Sequence, residues 1–257
     1  MATAAQPSDD SGTGGRAQAA QPPVTSAWTR RRPRREQPVL SPEHIVGEAI
    51  ALLDEEGVEA LSMRRLGTRL GAGATSLYRH VASREELIEL VVDEVYGEIH
   101  VPEAQDPSGW REAAAGCADS VRAMILRHAW IASFLSQVGL SHMGPNVMRV
   151  NDRMIALFET AGFPVEEADM AISTVVAYVM GTSTSEAAWL TLVARSGEDE
   201  DAWAARLQPA MDEATDAYPR LQQPERPASQ TLADIRDRKF QYGLDRVLDG
   251  LALRLAP

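Results

Sequence analysis

Between Leu61 and Arg84 the sequence LSMRRLGTRLGAGATSLYRHVASR carries Arg64, Arg65, Arg69, Arg79 and Arg84 and neither Asp nor Glu, in a chain whose formal net charge is -12. A guanidinium can hold a phosphate oxygen, or grip guanine O6 and N7 with two parallel hydrogen bonds. A basic island in an acidic chain therefore asks for a polyanion. Thr75, Ser76, Tyr78 and His80 stand among these arginines and add shorter groups of the kind that touch base edges and phosphates. No catalytic constellation accompanies them. GxSxG, HExxH and GxxxxGKS/T are absent, and Gly71-Ala72-Gly73 lacks the third glycine and the preceding strand of a dinucleotide loop. An enzyme is not expected.

The elements that must position these groups are short helices. Leu66 and Leu70 lie one turn apart, Gly71-Ala72-Gly73 breaks the helix, and Leu77 and Val81 again lie one turn apart. The pattern predicts a helix, a tight glycine turn and a short second helix that buries its leucines against a preceding helix. That preceding helix starts at Ser41 as N-cap with Pro42 behind it, carries Ile45, Val46, Ala49, Ile50, Leu52 and Leu53, and ends at Gly57. Ser62 caps the next helix, and Ser83-Arg84-Glu85-Glu86 opens a fourth as a capping box.

SMRRLGTRLGAGATSLYRHVASREEL resembles the DNA-binding segment of the tetracycline-repressor (TetR) family of bacterial regulators. The family's Leu-Tyr-x-His stands here as Leu77-Tyr78-Arg79-His80. The resemblance implies an all-α protein: an N-terminal three-helix helix-turn-helix DNA-binding domain and a larger C-terminal helical domain for ligand binding and dimerisation. Carried over position by position, Arg64, Ala74, Thr75 and Ser76 match base-facing positions. Tyr78, His80 and Arg84 match phosphate-contacting ones. Ala74 is too short to hydrogen-bond a base, so reading falls on Arg64, Thr75 and Arg79. Tyr78 has a structural alternative, packing on the first helix with only its hydroxyl exposed.

The rest of the chain frames this head. Residues 1 to 40 are expected to be a disordered arm, mostly Ala, Gly, Ser, Thr, Pro and Gln up to residue 27, followed by Arg30, Arg31, Arg32, Arg34 and Arg35. Those arginines either lie in an adjacent groove or along phosphates, or form a solvated tail; DNA contact is the expectation taken here. Residues 41 to 99 form the DNA-binding domain with its connecting helix, and HVPEAQDPSG at 100 to 109 is the linker. From 110 to 257 the pattern is helical, roughly over 110 to 128, 130 to 138, 144 to 161, 165 to 194, 200 to 217 and 230 to 255, with turns at Gly139, Gly162-Phe163-Pro164 and Pro219 to Pro227. The acidic segment from Ser196 to Asp216 is expected to be a solvated connection and not a metal site.

A ligand pocket between helices would be mostly apolar with a few polar groups. Trp110, Met124, His128, Trp130, Phe134, Met148, Asn151, Met154, Phe158, Tyr178 and Trp189 fall where one could form. No metal or other cofactor is expected, because His100, His128 and His142 show no ligand spacing with carboxylates. Cys117 is the single cysteine, which excludes an internal disulfide and suits the cytoplasm; it is expected in the core. The apolar run from Met170 to Ser185 falls short of about 20 apolar residues, so no membrane partner is expected.

The helix over 165 to 194 and the last helix are apolar on more than one face, and the resemblance implies that they build a homodimer. Two-fold symmetry would set the recognition helices about 34 to 36 Å apart, facing a pseudo-palindromic double-stranded DNA operator. The expected function is a repressor released by a small-molecule effector, controlling efflux, resistance or biosynthetic genes. The alternative is an activator, or a regulator that acts through a protein partner.

Overall fold

Local signals start and stop the first four helices. In the computed structural model, which describes residues 40–104, 106–135, 143–222, 227 and 229–255, α1 spans Pro42–Glu56, α2 Met63–Arg69, α3 Ala74–Leu77 and α4 Arg84–Tyr96. Ser41, Ser62 and Ser83 each accept the backbone N–H three residues on, at 3.0 to 3.2 Å, which satisfies donors that a helix start leaves open. The capping box at Ser83 differs from expectation, since the Glu86 carboxylate accepts from the N–H of Ala82 and not of Ser83. Gly57, at φ 80°, lets α1 stop where its N–H reaches the Leu53 carbonyl.

Ile45, Ala49 and Leu52 of α1, Leu66 of α2, Leu77 of α3, Val81, and Leu87, Val91 and Val95 of α4 are fully buried together. Four short helices, each marginal alone, are thus held by one shared core.

The larger body is built on one helix. α5 spans Trp110–Arg127, α6 Pro145–Ala161, α7 Val165–Ser196, α8 Glu200–Thr215 and α9 Leu232–Ala252. α7 packs against α5, α6 and α9, as its apolar character on more than one face requires. Gly162 (φ 104°) ends α6 and Gly197 (φ 73°) ends α7. α8 buries none of its residues, so the acidic segment is solvated as expected. Its start is nevertheless fixed, by Trp203 against Trp189 and by Glu200 on Arg236.

One helix expectation is corrected. The stretch over 130 to 138 is not an α-helix where it is described. Ala129–Ser133 is a 3-10 turn entered through His128 at φ -118°, ψ 63°, which swings His128 and Trp130 toward α1. The apolar run AWIASFL has no period that would have revealed this. Among the described residues no helix is long and apolar enough to cross a membrane.

Candidate functional site

The reading hairpin is closed by backbone geometry. Past the end of α2, the Ala72 N–H bonds to the Gly67 carbonyl (2.8 Å) and the Gly71 N–H to the Thr68 carbonyl (3.2 Å), with Gly71 at φ 63°. This is the paired bonding of a Schellman turn. Gly67 is required for a second reason: a Cβ there would lie 2.8 Å from the Ala72 carbonyl oxygen. The turn therefore brings α3 in close against α2.

Leu77 faces the core, leaving Thr75, Arg79 and His80 exposed, Tyr78 51% exposed and Ala74 and Ser76 half-buried. Tyr78 does not lie packed with only its hydroxyl outside.

The basic island divides. Arg65 pairs with Glu56 of α1. Arg69 pairs with Glu55 at 2.5 Å and Glu48 at 3.2 Å, which raises its already high pKa and holds the Glu55 carboxyl below the usual carboxylate range. Arg84 Nε donates to the Leu61 carbonyl at 3.0 Å, tying the start of α4 to the residue before the N-cap of α2. Arg64 and Arg79 are exposed and pair with no acid among the described residues. Arg65 and Arg69, which were not among the expected DNA contacts, are paired by carboxylates of α1, one helix earlier. Arg30, Arg31, Arg32, Arg34 and Arg35 lie outside the described residues.

In the sensor body the residues expected to form a pocket separate into two groups. Met154 and Phe158 line an apolar crevice with Cys117, Val121, Val175 and Val179, between α5, α6 and α7. It holds about 20 Å³ of free space, room for one water-sized body, so the bundle is closed. Burial in this wall pushes the Cys117 thiol up to about 11, which keeps it neutral and inert as a nucleophile.

The others are engaged elsewhere. Trp110 packs on Phe158 and Phe163 with ring centroids 6.0 Å away in each case, and Met124 is buried core. Tyr178 donates its hydroxyl to the Phe240 carbonyl at 2.8 Å, binding α7 to α9. Trp189 donates Nε1 to Glu200 at 2.7 Å. Met148 is exposed and Asn151 half-buried, with neither on the crevice. Phe134 sits edge-on to Trp130.

His128 and Trp130 turn to Asp54 at the end of the first helix of the head, at 2.8 and 2.7 Å. Two other polar groups, one joining head to body and one inside the body, were not singled out in the sequence. Asp93 of α4, buried, accepts the N–H groups of Asn146 and Val147 at 2.9 and 3.0 Å and so caps α6. Arg122 of α5, Glu186 of α7 and Arg236 of α9 form one ion network. A wider, open cleft of about 420 Å³ lies between α1, α4 and the start of α6. Glu43, Glu94 and Glu98 line it and disfavour a polyanion there.

A three-helix head that carries free arginines on a helix-turn-helix, joined to a helical body, defines a DNA-binding regulator. Comparison with known proteins bears this out. Residues 45–91 match the pattern of bacterial regulatory proteins of the tetR family, and residues 102–255 match the tetracyclin repressor-like C-terminal domain. The chain belongs to the TetR family of bacterial regulators. It is 33% identical over 234 residues to the HTH-type transcriptional repressor DrrR1 of Streptomyces coeruleorubidus, across 89% of this chain and 83% of that one. It is 36% identical over 165 residues to an HTH-type transcriptional regulator of Saccharopolyspora erythraea, across 64% and 69% of the two chains. Among solved structures, ActR of Streptomyces coelicolor in complex with actinorhodin superposes with a TM-score of 0.65 at 31% identity, covering 85% of this chain and 99% of ActR.

Proposed function

We propose that this protein is a homodimeric repressor that binds a pseudo-palindromic operator and is released from it by a small apolar molecule, in control of efflux, resistance or biosynthetic genes. The observation that carries the DNA side is the pair of unpaired, exposed arginines, Arg64 on α2 and Arg79 just past α3, with exposed Thr75 between them. Arg64 and Thr75 read bases while Tyr78 and His80 anchor phosphates; Arg79, expected among the reading residues, is assigned to a phosphate instead because it stands beyond the end of α3. Arg84 has a carbonyl partner and contributes its charge more than a direct bond.

The dimer reading is supported by α7, whose outward stripe of Met170, Ala177, Gly181, Ala188 and Leu192 is exposed, and by exposed Tyr242 and Leu253 on and beyond α9. The effector enters between α5, α6 and α7, beside Met154 and Phe158, by opening the crevice. ActR holds actinorhodin, a precedent for an organic effector in a protein of this shape. A hundredfold loss of operator affinity requires about 2.7 kcal/mol of difference in effector binding between the two states.

The test is recovery of genomic fragments by the purified protein, followed by footprinting at physiological salt. A protected pseudo-palindrome is expected, and its neighbouring genes direct the choice of effectors. Diffuse, salt-sensitive binding alone would overturn the operator reading and favour a regulator that works through a protein partner. Deleting residues 1–36 is expected to flatten the dependence of log K on log salt, by up to about 0.9 for each phosphate that the arm neutralises. An unchanged slope would make the arm a solvated tail.

A further inference from the structure

His128 sits where three elements meet, and its surroundings are unlike those of a ligand-binding histidine. The residue is 4% exposed. Nδ1 lies 2.8 Å from Asp54 Oδ1 at the end of α1, and Nε2 lies 3.1 Å from Glu98 Oε1 just beyond α4. Asp54 Oδ1 also accepts Trp130 Nε1 at 2.7 Å, and Glu98 also pairs with Arg127 of α5. α7, which packs on the same 3-10 turn, brings no charged group into bonding contact with the ring.

Carboxylates only accept hydrogen bonds, and a neutral imidazole has one N–H to give. Both bonds can exist together only when the ring is an imidazolium. With a neutral ring, one nitrogen lone pair faces a carboxylate oxygen, and one side of the joint is repelled.

We propose that His128 is a positioning residue for DNA binding: as an imidazolium it clamps Asp54 and Glu98 of the reading head onto the sensor body, so that the alignment of the head depends on the proton of this ring. The clamp coexists here with a closed crevice, so it belongs to the conformation that holds DNA. This last step rests on the repressor reading. Nothing in the clamp requires the effector, and it can be tested on DNA binding alone.

The experiment measures affinity for the footprinted operator duplex at fixed ionic strength over a pH series on both sides of neutrality. The wild type is compared with His128→Gln and Glu98→Gln. Half-buried His44 and exposed His80 and His100 are common to all three proteins, so any shared slope cancels and the difference between profiles is the readout.

Wild-type affinity is expected to fall as pH rises, by roughly tenfold beyond the common slope, as one charge-assisted bond breaks. His128→Gln is expected to bind weakly with only the common slope. Glu98→Gln is expected to bind well throughout, because its amide can donate to the bare nitrogen of a neutral ring. A His128→Gln profile parallel to the wild type overturns the proposal. If that variant does not fold, a Glu98→Gln profile identical to the wild type overturns it equally. Failure of the wild type to recognise any operator would instead strike the regulator reading itself.

Discussion

The reading head and the sensor body use their polar side chains in opposite ways. On the head, Arg64, Thr75, Arg79 and His80 stand exposed on a hairpin whose shape comes from backbone bonds at Gly67 and Gly71 and from a leucine core. In the body, the aromatic and polar residues that could have served a ligand mostly hold helices to one another: Tyr178 to α9, Trp189 to Glu200, and His128 and Trp130 to Asp54. The difference follows from the partner each part must meet. DNA offers an outside surface of fixed shape, so the groups that meet it can remain free beforehand. Under the proposed function the bundle opens for a ligand and must stay closed without it, and buried polar groups are costly unless paired.

The sharpest way to break this contrast is to remove a tie inside the body. Glu186, whose side chain is 10% exposed, receives Arg122 at 2.8 Å and Arg236 at 3.0 Å, and Arg122 lies 4.7 Å over the ring of Phe240. Glu186→Ala removes three charge-assisted hydrogen bonds, leaving Arg122 with Asp237 alone and Arg236 with Glu200 alone, and is expected to cost about 3 kcal/mol of stability, read from the urea midpoint. Loss of operator affinity with no change in the midpoint would show that the network serves reading and not closure.

On the head the expected outcome is reversed. Arg64→Ala should cost about 1 to 3 kcal/mol of operator affinity and relax the preference at one base pair in each half-site, with the urea midpoint unmoved. A destabilised but fully specific variant would mean that Arg64 belongs to the scaffold. The two remaining types of arginine sharpen the point. Arg79→Gln should reduce the salt slope by about 0.9 per subunit, whereas Arg69→Gln should leave it unchanged because Glu48 and Glu55 already neutralise that side chain. Equal slopes for the two variants would show that Arg69 exchanges its acids for phosphates on binding.

How much of this was legible in the sequence follows the same division. Ser41, Ser62, Ser83 and Gly71 act within a turn of their own position, so the head could be read almost element by element. Gly162 marks a helix end in the body for the same reason. What escaped is long-range. The acids that quench Arg65 and Arg69 stand in another helix, and His128 finds Asp54 across 74 positions of sequence. A histidine amid apolar residues fits a pocket wall and a joint equally well until the fold brings its partners alongside. Gly67 gave no local signal either, since its need for a missing Cβ arises only from the return of the chain at Ala72.

The smallest effect expected is a gain. Along α7, Thr174, Thr182, Thr184, Ser185 and Thr191 each return their hydroxyl to the carbonyl four residues back. Ser183, fully buried one turn beyond Val179 of the crevice wall, does not, and its Oγ has no hydrogen-bond partner among the described residues. A buried hydroxyl without a partner costs about 1 to 3 kcal/mol, and removing it leaves a void smaller than a methyl group. Ser183→Ala is therefore expected to raise stability by about 1 kcal/mol in urea titration while operator affinity stays as it was. A variant less stable than the wild type would show that the hydroxyl does bond in solution, and that α7 keeps this tie, like its others, inside the closed bundle.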